Sequence, residues 1–202
     1  MPKKLSGEIG HGVDPLLSLW TYLSGFQHLS PDEKEVIKPL ISFQKVSKNT
    51  HLQEIGYTCK TIYFIKSGIA RIYYFKDTTE VTELFAAEGD IIARVESLFT
   101  GRPSKKGIQI IEDSEIMSIN APGLTALYDT HHGIERLFRK VFESGYLETV
   151  LRLESLQFHA AEERYQMLIQ KTPSLVQRVP LKYIASYLGI TQTSLSRIRA
   201  KW

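Results

Sequence analysis

The feature that most constrains the fold is a change in hydrophobic pattern near residue 120. Residues 43–119 contain short runs of β-branched and aromatic residues separated by Gly, Asp and Lys, such as "TIYFIKSGIARIYYF" and "EVTELFAAEGDII". Runs of this kind, with regular turn residues between them, are typical of an antiparallel sandwich or barrel. Residues 134–158 instead carry apolar side chains at helical spacing over their whole length. The pattern therefore predicts an antiparallel β-barrel followed by one long helix.

The predicted helix over 134–158 would be about 36 Å long, because each helical residue adds about 1.5 Å. A helix of that length beside a small barrel leaves part of its apolar stripe uncovered by its own chain. The same stripe on a second copy is the simplest cover, so we expect a two-fold homodimer joined by this helix. The alternative is a helix that lies fully across its own barrel. The apolar positions of the stripe are Ile134, Leu137, Phe138, Val141, Phe142, Leu147, Val150, Leu151, Leu153 and Leu156.

Two short helices are predicted before the strands, one over residues 14–24 and one that begins after Ser30. Ser30 is a suitable N-cap, and Glu33 completes a capping box. Within the strand region, Gly68 of "KSG" predicts a tight hairpin, because glycine readily adopts a positive φ. The predicted fold class is α+β, with N-terminal helices and a jelly-roll barrel, then the long helix and a small C-terminal helical domain. The predicted domain boundaries are 1–133 for the barrel, 134–158 for the long helix and 159–202 for the C-terminal domain.

Composition restricts the class of protein. Hydrophobic residues make up 43% of the chain and charged residues 23%, as in globular proteins. We expect no membrane partner, because no run of about 18 apolar residues occurs. The N-terminal "MPKKLSGEIGHGVD" has no apolar core of the kind that a secretory signal needs. The single cysteine, Cys59, cannot form an internal disulfide or a four-cysteine metal site, so we expect a cytoplasmic protein.

An enzyme of the cupin type is the obvious alternative for a small barrel. Such enzymes need several inward-facing histidines as metal ligands, but residues 43–119 contain one histidine, His51. The sequence also has no Gly-x-Ser-x-Gly elbow, phosphate loop or Cys-His arrangement. We therefore predict no enzymatic activity, no metal centre and no bound cofactor that the sequence identifies.

Positive charge is concentrated at the C-terminal end. The chain as a whole has 25 basic and 22 acidic residues, but from Arg164 to Trp202 there are seven basic residues and no Asp or Glu. The region before Arg164 is therefore mildly acidic. This asymmetry predicts a polyanionic partner for the C-terminal end. A solvated pair of basic helices is the alternative interpretation.

The segment "LKYIASYLGITQTSLSRIRAKW", residues 181–202, fits a helix–turn–helix at each diagnostic position. Ala185 is the small residue where the two helices would cross, and Gly189 lies at the turn, where a left-handed conformation favours glycine. Thr191 can cap the second helix. The apolar residues that would hold the two helices together are Ile184, Leu188, Ile190, Leu195 and Ile198.

The outer face of the predicted second helix carries hydrogen-bonding and basic side chains. A helix of this kind enters the major groove with its N-terminal residues against base edges. Gln pairs bidentately with adenine, Arg pairs with guanine, and Ser or Thr can donate or accept. A structural helix hairpin with an exposed polar face is the alternative. We predict DNA contacts by Gln192, Thr193, Ser196 and Arg197 at base edges, and by Lys182, Arg199 and Lys201 at phosphates, with Thr191 at the helix start.

The order of these elements resembles the Crp/Fnr family of bacterial transcription regulators, over nearly the whole chain. The most specific segments are "LKYIASYLGITQTSLSRI" at 181–198, "FIKSGIARIYY" at 64–74 and "AAEGDII" at 86–92. The wording "AEERYQMLIQ…VPLKYIASYLGI" looks most like the Bacteroidetes-type branch. The resemblance implies a cyclic-nucleotide-binding-like sensor barrel and a homodimer on a two-fold symmetric operator. By matching position, Gln192, Thr193 and Arg197 correspond to the base-contacting residues, and RNA polymerase is a further partner if the protein is an activator.

The resemblance also implies an effector pocket, but its phosphate cassette departs from that of cyclic-AMP-binding members. Those members carry a Gly-Glu pair for the ribose and an Arg-Ser pair for the cyclic phosphate. Here Ala93-Arg94 stands where the first pair would be, and Pro103-Ser104 where the second would be. The missing groups are restored only if other side chains reach in, namely Glu96 for the carboxylate and Arg102, Lys105 or Lys106 for the arginine.

Loss of the planar guanidinium removes a bidentate anion contact, and a buried phosphate without a partner is costly. We therefore expect weak or no cyclic-nucleotide binding, and another small-molecule effector stays open. Thr149 matches the position of the family's adenine-contacting hydroxyl, although a lone threonine on a helix is more often a surface or interface residue. The alternative function is a signalling or protein-interaction module without specific DNA binding, whose weak DNA association would not depend steeply on salt.

Overall fold

The computed structural model describes residues 14–201. The expectation about a secretory signal therefore lies almost wholly outside the described residues. The helices are α1 Leu17–Ser24, α2 Pro31–Ile37, α3 Val95–Thr100, α4 Ala121–Ala126, α5 His132–Phe158, α6 Ala161–Lys171, α7 Pro173–Arg178, α8 Leu181–Tyr187 and α9 Gln192–Arg199, with a 3-10 turn at Lys38–Leu40. The strands are β1 Ile41–Val46, β2 His51–Gln53, β3 Thr61–Ser67, β4 Ala70–Lys76, β5 Thr79–Ala86, β6 Ile91–Ile92, β7 Gly107–Ile110 and β8 Ser114–Asn120.

The strands form two antiparallel sheets of four strands each. One has the order β1-β8-β3-β6 and the other β2-β7-β4-β5. Their inner faces share a core of β-branched side chains, including the buried Ile65, Ile72, Ile108 and Ile116. Alternating inward residues from two sheets are how a jelly roll excludes water from its centre. The predicted α+β fold with an antiparallel jelly-roll barrel is confirmed.

The hairpin predicted at Gly68 is wrong, although its positive φ of 101° is confirmed. β3 pairs with β6 and β8, whereas β4 pairs with β5 and β7, so Gly68 and Ile69 carry the chain from one sheet to the other. Ile69 is fully buried beneath the barrel, and its carbonyl accepts a hydrogen bond from the N–H of Ile111 (2.8 Å). A Cβ on Gly68 would lie 2.0 Å from Ser114 Oγ, so glycine is required for close approach as well as for φ.

The front of the chain forms the two predicted helices, and the capping box is confirmed. Ser30 Oγ accepts from the N–H of Glu33 (3.2 Å), and the Glu33 carboxylate accepts from the N–H of Ser30 (2.8 Å). These helices pack on one face of the barrel together with the start of α5, in a core that includes Leu19, Ile37 and Phe138.

The long helix α5 has a buried first half and an exposed second half. Ile134, Leu137 and Phe138 are fully buried, whereas Leu147 is 60% exposed and Phe158 is 74% exposed. The alternative of a helix that lies fully across its own barrel is therefore wrong. Other large apolar side chains exposed along the second half are Tyr146, Leu151, Leu153 and Leu156.

The four helices after α5 form a second core beneath the barrel. Ile184, Leu188 and Leu195 are fully buried there, and the barrel contributes Ile69 and Ile111 to the same cluster. Helix α7, a short helix that begins at a proline, was not predicted from the sequence. This core fixes α8 against the sheet that contains β4 and β5, and α9 packs on α8.

Replacing Phe138 with Ala should lower the free energy of unfolding by about 3–5 kcal/mol, because it leaves a cavity where α5 meets the barrel. Urea denaturation followed by circular dichroism measures the change. Phe75→Ala is the matched control, since Phe75 is 56% exposed and its loss should cost less than about 1 kcal/mol. Equal losses in the two variants would contradict the assigned core.

Candidate DNA-binding surface and effector pocket

Helices α8 and α9 are joined by a turn with the predicted local geometry. Gly189 has a φ of 70°, and the N–H of Ile190 donates to the carbonyl of Ala185 (3.0 Å). Thr191 Oγ1 accepts from the N–H of Ser194 (3.1 Å), which confirms it as the cap of α9. The buried Leu195 faces inward from α9, so the opposite face of that helix is turned to solvent.

The structure places the predicted DNA-contacting residues on the exposed surface of this pair of helices. The exposed residues are Lys182, Thr191, Gln192, Thr193, Ser196, Arg197, Arg199 and Lys201. Three of them have partners within the chain: the Thr191 hydroxyl serves the cap, Lys201 Nζ lies 3.1 Å from Glu162 Oε2, and Lys182 Nζ lies 4.7 Å from the ring centre of Tyr183. The first turn of α9 has no acidic residue. Among the described residues, Arg197 and Arg199 form no salt bridge.

Several basic residues of the C-terminal end are paired within the chain and do not add positive charge to this surface. Arg164 donates from Nε to the carbonyl of Leu188 (3.1 Å), and Lys171 lies 3.3 Å from Glu148. Arg178 binds acidic residues of the barrel, as described below. These side chains hold the fold together, and only part of the basic excess faces outward beside α9.

A buried arginine of the barrel anchors α8. The Arg71 side chain is 1% exposed, and its guanidinium carbon lies 3.6 Å from the ring centre of Tyr183 on α8. Its Nε donates to Gln109 Oε1 (3.0 Å), its Nη1 donates to Thr82 Oγ1 (3.1 Å), and it forms an ion pair with Glu80. The guanidinium is therefore saturated on the barrel side and stacked on the helix side, an arrangement for which arginine is suited and lysine is not.

A second arginine makes the reverse connection, from the C-terminal helices to the barrel. Arg178 at the end of α7 donates from Nη1 to Glu88 (3.0 Å) and from Nε to Glu112 (3.1 Å). The hydrogen bond from Arg178, assisted by the N–H of Gly68, lowers the pKa of Glu88 to about 2. The two carboxylates in turn raise the pKa of Arg178. The basic excess counted from the sequence includes Arg178, because its partners lie far from it in the chain.

The cassette after β6 contains a buried cluster of charged side chains. Ala93 and Arg94 are each 7% exposed, and Ser104 is 6% exposed. Arg94 Nε lies 3.4 Å from Ser104 Oγ, and Arg94 Nη1 lies 3.8 Å from Glu83 Oε1. Glu83, a residue of β5, also forms an ion pair with Lys106. Glu83 was not predicted from the sequence, because it lies on a strand outside the cassette.

The other predicted pocket residues lie outside this cluster. Glu96, Arg102 and Lys105 are exposed, so of the proposed replacements for the missing arginine only Lys106 joins the cluster. Arg94 supplies the buried guanidinium instead, from the position expected to carry a carboxylate. Thr149 is exposed on α5, and its hydroxyl donates to the carbonyl of Gly145 (2.9 Å) within the same helix.

Within residues 14–201, no group of three or more His, Cys, Asp or Glu side chains is placed to hold a metal ion. No helix in the same range combines the length and the apolar character that a membrane span requires.

The comparisons with known proteins agree with this architecture. Residues 43–131, from β1 to the segment after α4, match the family model described as the cyclic nucleotide-binding domain. A protein from Eubacterium rectale described as a regulator of the Crp/Fnr family superposes with a TM-score of 0.70 at 17% identity, covering 90% of this chain and 87% of that chain. The chain has the Crp/Fnr fold.

Other solved structures share that fold. FixK2 from Bradyrhizobium japonicum has a TM-score of 0.67 at 17% identity, with 80% of this chain and 83% of that chain covered. CLP from Xanthomonas campestris, described as a c-di-GMP-responsive global regulator, has a TM-score of 0.66 at 15% identity, with 83% and 89% covered. No curated protein matches the sequence significantly.

The link between Arg178 and Glu88 should make stability depend on acid pH. Because the folded-state pKa of Glu88 is about 2 against an ordinary value of 4.5, its contribution is present above about pH 4.5 and is lost as the pH falls toward 2. The carboxylate is 41% exposed, so solvent screening reduces the contribution to about 1 kcal/mol.

The measurement is urea unfolding of the wild type and of Glu88→Gln at pH 7 and pH 3. The variant should be less stable at pH 7, and the difference between the two proteins should shrink at pH 3. Glu96→Gln, at an exposed glutamate without a salt bridge among the described residues, is the control. A gap between Glu88→Gln and the wild type that is the same at both pH values would contradict the pairing.

Proposed function

We propose that the protein is a sequence-specific, DNA-binding transcription regulator of the Crp/Fnr type. In this proposal α8 and α9 act as a helix–turn–helix, and α9 enters the major groove. The observation that carries the proposal is the exposed surface of α9, where Thr193 and Arg197 lie opposite the buried Leu195 and Gln192 is exposed in the first turn. That first turn contains no acidic residue. A face with these properties at the N-terminal half of a short helix suits base edges.

The proposed division of labour follows from the position of each side chain. Four exposed side chains would meet base edges and recognise the base pairs through their hydrogen-bond donors and acceptors: Gln192, Thr193, Ser196 and Arg197. Lys182, on α8, and Arg199, late on α9, are placed for phosphates. Lys201 would have to exchange Glu162 for a phosphate, and Thr191 contributes through the cap that starts the helix.

We propose that the functional unit is a homodimer joined by the second half of α5. The exposed apolar stripe there runs from Tyr146 to Phe158, and it would be costly to leave in water. Its start borders an apolar groove of about 660 Å³ between α3 and α5, where Phe99 meets Phe142 edge to face at 5.0 Å. A two-fold copy would bury this stripe and set two copies of α9 against successive half-sites of a palindrome.

Cyclic AMP is not the effector in this proposal. A cyclic nucleotide requires a free carboxylate for its ribose and a free arginine for its phosphate. Here the buried Arg94 and the partly exposed Lys106 face the carboxylate of Glu83. The residues present therefore do not fit that ligand. The proposed setting is the bacterial cytoplasm, with RNA polymerase as a partner if the protein activates transcription.

Selection from a randomised duplex pool, with and without cyclic AMP, tests the proposal. The expected product is a palindrome with half-sites about one helical turn apart, recovered equally well in both conditions. Binding to it should fall steeply with salt because phosphate contacts release counterions. Weak binding that is insensitive to salt, with no enriched sequence, would favour the protein-interaction module instead.

Replacing Arg197 with Ala should weaken binding to the selected operator by about 1–3 kcal/mol and relax specificity at one base pair. Arg199→Ala is the informative contrast, because loss of a phosphate contact should weaken all sequences similarly and reduce the salt slope by about 1. Fluorescence anisotropy at several salt concentrations measures both. Lys76→Ala, which removes an exposed charge at the far end of β4, is the control. Identical profiles for Arg197→Ala and wild type would contradict the recognition role.

Replacing Leu151 with Asp should weaken the dimer at least tenfold, because Leu151 is 64% exposed on the proposed seam and an aspartate there would bury an unpaired charge among apolar side chains. Sedimentation velocity over a concentration series measures the shift toward monomer. Leu17→Asp is the matched control, since Leu17 is also largely exposed but lies on α1. A stable dimer in the Leu151 variant would place the interface elsewhere.

A further inference from the structure

A second cavity, of about 330 Å³, lies between the two sheets of the barrel, where it is lined by residues of β1, β2, β3 and β8. β1 is the edge strand of one sheet and β2 is the edge strand of the other. Ser42 and Gln44 of β1 line the cavity and are exposed, so it opens to solvent beside this strand. β6, which leads into the cassette, is the opposite edge of the first sheet, so this cavity is separate from the cluster around Arg94. Its volume falls in the range of small-molecule sites, about 300–1,000 Å³.

The wall of this cavity is polar at positions where the inner face of a sandwich is ordinarily apolar. The strand register places Ser42, Ser118 and Tyr63 side by side across β1, β8 and β3. Two residues along the same face, Ile116 and Ile65 are opposite each other and buried in the barrel core. Inner faces of packed sheets are stabilised by apolar side chains. The change from isoleucine to serine along one face is therefore not required by the fold.

Ser118 is the residue of this row that most needs a partner. It is 7% exposed, and its Oγ is the buried side-chain polar atom that lacks a hydrogen bond within the described part of the chain. Ser114 of the same strand is buried to a similar degree, yet its Oγ donates to the carbonyl of Glu112 (2.7 Å). A buried hydroxyl without a partner costs free energy, and a ligand that bonds to it would recover that cost.

The lining also indicates the charge of the ligand. Of the residues that the structure describes, none that lines the cavity is Asp, Glu, Lys or Arg. The titratable side chains there are engaged within the barrel: His51 Nδ1 lies 2.9 Å from the hydroxyl of Tyr73, and the Tyr63 hydroxyl donates to the carbonyl of Leu52 (2.7 Å). An ionic ligand would therefore lack a counter-ion, which is costly away from water. The other polar lining residues are Ser42, Gln44, Thr50, Thr61, Ser118 and Asn120.

We propose that this cavity binds a neutral, hydroxyl-rich small molecule, a sugar or polyol, through Ser42, Gln44 and Ser118. Hydroxyl and amide side chains both donate and accept hydrogen bonds, as the hydroxyls of such a ligand do. The cavity has many times the volume that one water needs, so a bound water does not account for its size. The inference concerns the barrel alone and does not depend on the proposed DNA-binding function.

Saturation-transfer difference NMR tests the proposal, with D-glucose, maltose and myo-inositol as neutral probes and gluconate as a charged counterpart of glucose. Wild type should bind at least one neutral probe, and should bind gluconate more weakly than glucose. Ser118→Ala should weaken binding of the neutral probe about tenfold, because a hydrogen bond to a buried hydroxyl is lost. Gln44→Ala should also weaken it, and this exposed position can be changed without loss of the core.

Two variants of the same strands are the matched controls. Ser114→Ala removes a buried hydroxyl that is satisfied within the chain, and Lys45→Ala removes a side chain that is 88% exposed and lies on the opposite face of β1 from Gln44. Both should bind the probe like wild type. Without ligand, Ser118→Ala should melt no lower than wild type, because its hydroxyl has no partner to lose, whereas Ser114→Ala should melt lower.

No signal from any of the three neutral probes, or binding that is unchanged in both Ser118→Ala and Gln44→Ala, would overturn the proposal and leave the cavity as a solvent-filled gap between two sheet edges. A large drop in the melting temperature of Ser118→Ala would also count against it, since the hydroxyl would then have a structural partner. Sugar binding with no operator binding in any condition would instead count against the proposed function alone.

Discussion

The buried guanidinium of Arg71 is the interaction on which the relation between the barrel and the C-terminal helices depends. Burying an arginine costs several kcal/mol unless its donors are met, and Arg71 meets them with Gln109, Thr82 and Glu80 on its own sheet. The remaining face of the group stacks on Tyr183. These contacts fix the position of the Arg71 side chain on the sheet, and stacking on that side chain fixes the position of α8. The position of α8 in turn sets the direction of α9.

Other contacts at this junction also hold the C-terminal helices against the barrel. Arg178 reaches back to Glu88 and Glu112, and the apolar cluster around Ile184 and Leu188 includes Ile69 and Ile111 of the barrel. Polar and apolar contacts thus hold the C-terminal helices from two sides.

The two halves of the long helix α5 have different surroundings. Its first half is part of the barrel's core and is stabilised by Ile134 and Phe138. Its second half has an apolar stripe with no cover in the described chain, because the barrel ends before the helix does. In the proposed dimer the same rigid element therefore anchors the sensor and brings two copies of α9 into register. Phe99 of α3 lines the groove that lies at the start of this apolar stripe.

Local signals in the sequence determined the features that depend on a few neighbouring residues. The capping box at Ser30, the left-handed Gly189, the cap at Thr191 and the extent of α5 all follow from periodicity and from the φ preferences of single residues. The β texture of residues 43–119 likewise predicts an antiparallel barrel, because short β-branched runs between turns have few other solutions.

Only the tertiary structure decided which distant residues meet. Gly68 was expected in a hairpin, yet it joins two sheets, because strand pairing depends on the whole barrel. Arg178 and Arg164 looked like free charge, but long-range partners hold them. Arg94 stands where a carboxylate was expected, and Glu83 comes from another strand to face it. The periodicity of apolar residues predicts the local secondary structure and the outward face of α9. The pairing of buried charges depends on contacts between residues far apart in the chain, which no local pattern predicts.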